Sequence, residues 1–233
     1  MPDSLPHLSS TRCHLLYEDI NGEYRTLPIT PDSPRSSAYP IDPIFLERWS
    51  PRAFDETAEI SEKELFTLFE AARWAPSSSN LQPWRFLYAR RGTPHWDRFL
   101  NLLVPFNQTW AHRASALVVV ISHTLAPSRD NSQPTVSYTH SFDTGASWGF
   151  LALQAFRSGW YAHGMAGFDM ERAVTELNIP ADYRVEAAVA IGRQADKSIL
   201  PEALQKREYP SSRQELETIV FEGGFTPGKT APE

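Results

Sequence analysis

The most informative stretch of the chain is Ala75-Pro76-Ser77-Ser78-Ser79-Asn80-Leu81-Gln82-Pro83-Trp84. It concentrates hydroxyl and amide side chains between two prolines, which limit the freedom of the backbone. Asn and Gln side chains both donate and accept hydrogen bonds, so the stretch is suited to a fixed polar cradle for the edge of a ligand. The alternative is an ordinary polar connector, in which Ser and Asn are common for conformational reasons.

Regular elements are predicted on both sides of this stretch. Ser61 followed by Glu64 is the capping-box pattern of a helix start. The next apolar residues recur at the spacing of one helix face: Leu65, Leu68, Phe69 and Ala72. Pro76 should end this helix near Trp74 or Ala75. Beyond it, the alternation over 84–88 predicts a half-buried strand.

The rest of the chain mixes strands and helices without a regular βαβ alternation. The apolar run 116–121 predicts a strand covered on both faces. A helix over 143–158 is apolar around most of its circumference and is predicted to be buried, with Gly145 and Gly149 allowing another backbone to approach closely. A strand near 160–165, a helix opened by Asp169 and a last strand over 186–191 follow. This order favours an α+β fold.

Composition narrows the possible functions. The 233 residues are 41% hydrophobic and 21% charged, with a net charge of −6. An acidic chain without basic blocks is a poor candidate for binding nucleic acid. We expect no membrane span and no secretion signal, and therefore a cytoplasmic location. The one cysteine, Cys13, excludes an internal disulfide or a cysteine-based metal cluster within one chain.

Three regions differ in character. Residues 1–43 are rich in Pro and Ser and read as an arm, with a possible hairpin about Asn21-Gly22. Residues 44–222 read as one compact domain, and 223–233 as a flexible tail. The tail contains Gly223-Gly224-Phe225-Thr226-Pro227-Gly228-Lys229-Thr230, which matches the phosphate-loop pattern. That chemistry needs a helix after the lysine, and the sequence ends three residues after Thr230, so we interpret the match as coincidental.

A second polar stretch is Arg48-Trp49-Ser50-Pro51-Arg52. In extended chain, residues at alternate positions project to the same side, so Arg48, Ser50 and Arg52 could converge on one phosphate or polyol. A solvated charged turn is the alternative.

Other candidates are weaker. The histidines at 112, 123, 140 and 163 lack metal-ligand spacing and are interpreted as ordinary hydrogen-bonded side chains. No nucleophile elbow is present. Phe106 is either a lid residue or a surface residue, whereas Trp110 is predicted to anchor the core. Tyr138 and His140 face either a cleft or solvent.

The two polar stretches, in this order and separated by a capped helix, closely resemble the nitroreductase family of FMN-dependent oxidoreductases. Four looser pieces follow in the family's order: 143–155, 164–169, 190–192 and 212–216. The resemblance covers roughly Pro43 to Val220. It implies a three-layer α+β sandwich with a central mixed, mainly antiparallel sheet flanked by helices, assembled as an intertwined homodimer with FMN at the subunit interface.

The resemblance also implies which residues bind FMN. Arg48, Ser50 and Arg52 of one subunit would hold the phosphate, the ribityl chain and the ring edge, with Arg213 joining at the phosphate. The other subunit would contribute Pro76, Ser77, Ser78 and Asn80. Met165, Ala166 and Gly167 would pass beside the isoalloxazine, with a backbone N–H bonding flavin N5. Trp49 and Gln82 complete the expected cofactor-binding set.

Some positions depart from the family pattern. Pro51 and Ser211 stand where many relatives carry other, often basic, residues, and Ala166 replaces an acidic residue found in some relatives. These departures leave FMN binding intact, but they weaken the inference that this chain shares the substrate of any particular relative.

The implied function is a ping-pong transfer of hydride from NADH or NADPH through non-covalent FMN to a small organic acceptor. The acceptor could be a nitroaromatic, a quinone or an activated alkene. No side chain is expected to be catalytic, because the flavin carries the chemistry. The alternative is a flavin-binding or partner-binding module of the same fold without turnover, since fold does not fix function. A flavin-using dehydrogenase or a flavin-degrading enzyme also remains open.

Overall fold

The computed structural model describes residues 34–128 and 133–226, together with the backbone of Leu16–Glu18 (β1) and Tyr24–Thr26 (β2). β1 and β2 pair antiparallel, with Leu16 opposite Thr26. A hairpin about Asn21-Gly22 requires this pairing. The turn itself lies outside the described residues.

Four strands form the central sheet, in the spatial order β3-β4-β8-β7. They are β3 (Trp84–Arg90), β4 (Ala116–His123), β7 (Tyr161–Met165) and β8 (Tyr183–Gly192). All three pairings are antiparallel. β4 and β7 run in the same direction, but β8 separates them, so the parallel pairing of the expected mixed sheet is not found among the described strands. Two short strands, β5 (Leu125–Ala126) and β6 (Thr135–Val136), pair separately.

Seven α-helices occur in the described ranges. They are α1 (Ile44–Glu47), α2 (Glu62–Arg73), α3 (Trp96–Leu102), α4 (Pro105–Ala111), α5 (His140–Arg157), α6 (Met170–Glu176) and α7 (Glu202–Gln205). None of them is long and apolar enough to cross a bilayer.

The sheet is covered by helices on both faces because its strands alternate between two cores. On β4, Leu117, Val119 and Ile121 pack into a core with Phe99 of α3 and Trp110 of α4. The intervening Ala116, Val118 and Val120 pack into a second core with Leu65 and Leu68 of α2 and Leu151 of α5. Period-two alternation places successive side chains on opposite faces. The predicted three-layer α+β sandwich is confirmed.

Local signals in the sequence also predict the helix starts correctly. Ser61 Oγ accepts the backbone N–H of Glu64 at 3.2 Å, and the Glu64 carboxylate accepts the N–H of Ser61 at 2.9 Å, which completes the capping box of α2. The side chain of Asp169 accepts the N–H of Arg172 at 2.9 Å and caps α6. These bonds satisfy N–H groups that the helices leave unpaired.

One prediction about α5 is wrong for the single chain. The helix is not buried all round, since Phe142 is 82% exposed and Phe150 is 40% exposed. A Cβ added at Gly145 or Gly149 would meet no atom within 4 Å. These positions share one face at helical spacing. The sheet and α2 cover only the opposite side of α5, so an apolar stripe with small residues is left open.

Candidate functional site

A cavity of about 330 Å³, here called the arginine cavity, lies where the segment after α1 meets β7 and the segment after α7. It is lined by Arg35, Arg48, Trp49, Ser50, Arg52, His163, Arg207, Tyr209, Ser211 and Arg213. Five of these residues are arginines, and none of the described lining residues is acidic. Planar guanidinium groups bind phosphate oxygens bidentately, so this donor set suits a phosphate dianion.

The wall after α1 is extended chain. Arg48 caps α1 with φ −65° and ψ 126°. Arg48, Ser50 and Arg52 all line the cavity, as their alternate spacing predicts. Trp49 also borders it and is 4% exposed, and its indole N–H has no hydrogen-bond partner. A buried donor without a partner costs free energy, and this one belongs to a residue that lines the cavity.

A buried carboxylate fixes the position of Arg52. Glu208 Oε1 accepts the backbone N–H groups of Arg52 and Ala53 at 2.5 and 2.8 Å, and Oε2 lies 3.7 Å from Arg52 Nη1. Glu208 stands between two cavity-lining residues, Arg207 and Tyr209. It therefore ties the segment after α7 to the Arg48–Arg52 wall. Sequence reasoning missed it, because a charged triplet after a short helix carries no recognisable signal.

Like charges crowd this cavity. The pKa of Arg48 is lowered by burial and by the positive charge of Arg213. The pKa of Arg35 is lowered by burial and by the charges of Arg213 and Arg48. Desolvation and mutual repulsion both disfavour the charged forms. An anion bound between these side chains would offset the repulsion.

His163 on β7 lines the cavity as a neutral imidazole. Its Nδ1 lies 2.9 Å from the Pro51 carbonyl oxygen, and its ring centroid lies 4.7 Å from that of Trp110. Because the carbonyl can only accept, Nδ1 carries the proton and Nε2 remains an acceptor. Burial, with a smaller contribution from Arg52, lowers the pKa of His163 to about 4. Sequence reasoning treated this residue only as a hydrogen-bonded histidine, which is correct but incomplete.

This depressed pKa predicts a pH-dependent stability. The unfolded chain takes up a proton near pH 6.5, whereas folded His163 does so only near 4. Stability from His163 is therefore complete above 6.5 and is lost as pH falls toward 4, by roughly 3 kcal/mol in all. Urea unfolding of flavin-free protein should show a steeper fall in acid for wild type than for His163→Gln. The amide of that variant can still donate to Pro51. Equal slopes for the two proteins would contradict the assignment.

The end of β7 leads into the Met165–Gly167 segment. Met165 is buried and Ala166 is exposed. The Gly167 carbonyl accepts the backbone N–H of Val104 at 3.1 Å and Asn107 Nδ2 at 2.9 Å. A Cβ on Gly167 would lie 2.7 Å from that Asn107 nitrogen, so only glycine fits without displacing the bond. Asn107, which sequence reasoning missed, thus fixes the backbone two residues beyond the end of the strand.

The stretch Pro76–Gln82 lies apart from the arginine cavity. None of its described residues lines the arginine cavity. Ser79, Asn80 and Gln82 have φ of 51°, 56° and 48°, in the left-handed region that few non-glycine residues adopt. Strained backbone of this kind concentrates at functional sites, where the surrounding structure must hold it.

Two side chains hold this strained loop. Asp143, which is 4% exposed in the first turn of α5, accepts the backbone N–H of Ser78 at 3.1 Å. The Ser77 hydroxyl accepts the backbone N–H of Gln82 at 3.1 Å. The side chains of Ser78 and Asn80 are left exposed. The loop therefore presents its polar groups outward from a fixed backbone, as the cradle interpretation requires.

The remaining aromatic and histidine candidates differ in burial. Trp110 is 1% exposed and belongs to the core, as predicted, whereas Phe106 is 52% exposed. Tyr138 is 98% exposed, and His140 Nδ1 lies 2.7 Å from Ser122 Oγ. The described residues contain no cluster of His, Cys, Asp or Glu that could hold a metal ion. Residues 227–233, with the second half of the phosphate-loop match, lie outside the described residues.

Comparison with known proteins identifies relatives of the chain. The family model described as "Nitroreductase family" matches residues 46–102. A solved structure described as an oxidoreductase containing FMN is 49% identical, covers 85% of this chain and 99% of its own, and superposes with a TM-score of 0.81.

Two curated proteins extend this comparison. An uncharacterized 15.4 kDa protein of Mycolicibacterium smegmatis is 33% identical over 147 residues, which are 60% of this chain and 95% of that protein. The oxygen-insensitive NADPH nitroreductase of Helicobacter pylori is 40% identical over 80 residues. That match spans 33% of this chain and 35% of the Helicobacter enzyme.

Proposed function

Since the chain belongs to the nitroreductase family, we propose that it is an FMN-dependent oxidoreductase that takes hydride from NADH or NADPH. The second substrate would be a small organic acceptor that enters the site after the nicotinamide has left. The arginine cavity is the observation that carries this proposal, because its charge matches the phosphate of FMN. Bound FMN supplies the hydride chemistry, and the protein supplies binding and orientation.

The cavity residues fit that cofactor. Arg48, Arg52 and Arg213 place guanidinium groups around one space and would bind the phosphate. The Ser50 hydroxyl, between two of them, would bond the ribityl chain. The unpaired indole N–H of Trp49 offers a further donor to a ligand oxygen. Neutral His163 adds an acceptor without adding a charge.

The Met165–Gly167 segment would lie along the flavin ring. Its backbone is held by Val104 and Asn107 through the Gly167 carbonyl, which fixes the path of the segment. A backbone N–H of the segment would donate to flavin N5. The exposed Ala166 side chain is small and uncharged, so it leaves room for a substrate over the ring.

The homodimer belongs to the same proposal. The open stripe of α5 is apolar and carries Gly145 and Gly149. Packing within the single chain does not require glycine there, because a Cβ at either position would meet no atom within 4 Å. The C-terminal segment also exposes apolar side chains at Leu216, Ile219 and Val220, with 42%, 56% and 60% exposure. Contiguous apolar surface of this kind marks an interaction site. In the dimer, the Pro76–Gln82 loop of one subunit would complete the flavin site of the other.

Gly149→Glu tests this interface. A Cβ at position 149 meets no atom within 4 Å apart from its own helix backbone, so the fold should tolerate the larger residue. In a close helix–helix contact it would bury an unpaired charge, which is costly. We expect wild type to elute as a dimer and the variant as a monomer with unchanged far-UV circular dichroism. Light scattering after size-exclusion chromatography measures the masses. Arg98→Glu, at an exposed position of α3, is the matched control and should stay dimeric.

The acceptor class is tested by steady-state kinetics. A nitroaromatic, a quinone and an activated alkene are offered in turn with NADH or NADPH as donor, and at least one of them should be reduced. Because donor and acceptor would use the same flavin face in turn, double-reciprocal plots at several fixed acceptor concentrations should be parallel. Intersecting lines would show a ternary complex and contradict alternate occupancy.

A further inference from the structure

Arg35 lies in the segment before α1, and its guanidinium donates hydrogen bonds to backbone carbonyls on both sides of the arginine cavity. Its Nε donates to the Ser211 carbonyl at 2.8 Å, and its Nη1 donates to the carbonyls of Leu46 at 3.0 Å and Arg48 at 2.6 Å. It is partly buried, whereas Pro34 and residues 36–43 are exposed. One guanidinium thus joins the two walls of the arginine cavity.

The two walls are the ones that carry the predicted phosphate ligands. Arg48 and Arg52 follow α1, and Arg213 follows Ser211. Arg213 Nη1 also donates to the Ser211 carbonyl at 3.3 Å, so this carbonyl is shared with Arg35. Arg48 and Arg213 repel each other and Arg35 adds a third positive charge, so it is the hydrogen bonds of Arg35 to carbonyls of both walls that would hold the walls together.

We propose that Arg35 is a positioning residue of the arginine cavity, bonding both walls at once so that Arg48 and Arg213 converge on one phosphate group. The inference deepens the proposed function and rests on it. It also gives a role to one residue of the Pro/Ser-rich segment 1–43. Occupancy of the cavity by phosphate and bonding of Arg35 to both walls then favour each other, because coupling between sites is reciprocal.

The binding of FMN and of riboflavin to flavin-free protein separates this role from general stability. Riboflavin has the same ring and ribityl chain but lacks the phosphate. Arg35→Ala should weaken FMN binding about 10- to 100-fold and leave riboflavin binding within about twofold. Arg35→Lys keeps the charge but lacks the planar fork that reaches three carbonyls. It should remain at least about fivefold weaker than wild type for FMN, and the exposed Arg98→Ala should match wild type.

A double-variant cycle tests whether Arg35 acts through Arg213. In an Arg213→Ala background, the further change Arg35→Ala should cost much less than it does in wild type, because coupled residues are not additive. Additive losses, full recovery in Arg35→Lys, or an equal loss of riboflavin binding would each overturn the positioning role.

Failure of the proposed function gives a different result, in which wild type binds neither flavin. Hydrogen exchange of the flavin-free proteins then decides the role of Arg35. Arg35→Ala should speed exchange in both 44–50 and 209–215 compared with wild type, since each wall loses its bridge. Unchanged exchange in both segments would overturn the proposal.

Discussion

Replacing Arg48 and Arg213 together with alanine is expected to weaken FMN binding by about 10²- to 10⁴-fold. Each guanidinium would make charge-assisted hydrogen bonds to the phosphate, worth about 1.5–3 kcal/mol per residue. Both residues line the arginine cavity from opposite walls. Fluorescence titration of flavin-free protein with FMN measures the loss.

Two controls make this result specific. Riboflavin binding should change little, because the lost contacts go to the phosphate. The exposed Arg98→Ala on α3 removes the same charge elsewhere and should bind FMN as wild type does. Undiminished FMN affinity in the double variant would show that these arginines are not the phosphate ligands.

Glu208→Ala is expected to lower the free energy of unfolding by about 2–4 kcal/mol. The change leaves the buried N–H groups of Arg52 and Ala53 without their acceptor and removes the ion pair with Arg52. Unsatisfied buried donors cost about 1–3 kcal/mol each. For a chain of this size the melting temperature should fall by about 5–15 °C, as calorimetry would measure.

Glu208→Gln is the matched variant for this prediction. Its amide oxygen can still accept from the two backbone donors, while the charge facing Arg52 is lost. We expect less than half of the alanine effect. If both variants melt like wild type, the carboxylate does not fix this wall of the cavity.

The fold could be predicted from local signals because those signals are strong and agree with one another. The capping box at Ser61, the apolar run that becomes β4 and the stop before Pro76 each place an element within a few residues. α3 and α4 were not predicted, since their short sequences carry weak periodicity and form mainly by packing Phe99 and Trp110 against the sheet. Tertiary contacts decide such elements.

The candidate site could be predicted only where its residues lie close together in sequence. The alternate spacing of Arg48, Ser50 and Arg52 indicates a shared binding site, and Arg213 was identified through the family resemblance. Arg35 and His163 reach the same cavity from the segment before α1 and from the sheet. A lone arginine in a Pro/Ser-rich segment and a lone histidine in a strand have no pattern that marks them.

The open face of α5 shows a different limit. Its apolar residues predicted a buried helix, and periodicity cannot say whether the burial is within one chain or between two. The glycines at 145 and 149 face open space in the single chain. In the proposed dimer a second copy would cover them, and the sequence of one chain does not display that contact.

The most direct test of the central claim is the visible absorption spectrum of the purified protein, recorded before and after anaerobic addition of NADH and then NADPH. The account predicts flavin bands from bound FMN that bleach on addition of at least one nicotinamide and return when an acceptor is added. Flavin bands that neither donor bleaches would identify a flavin-binding module without turnover. A colourless protein that also fails to bind added FMN would contradict both the cofactor and the site assigned to it.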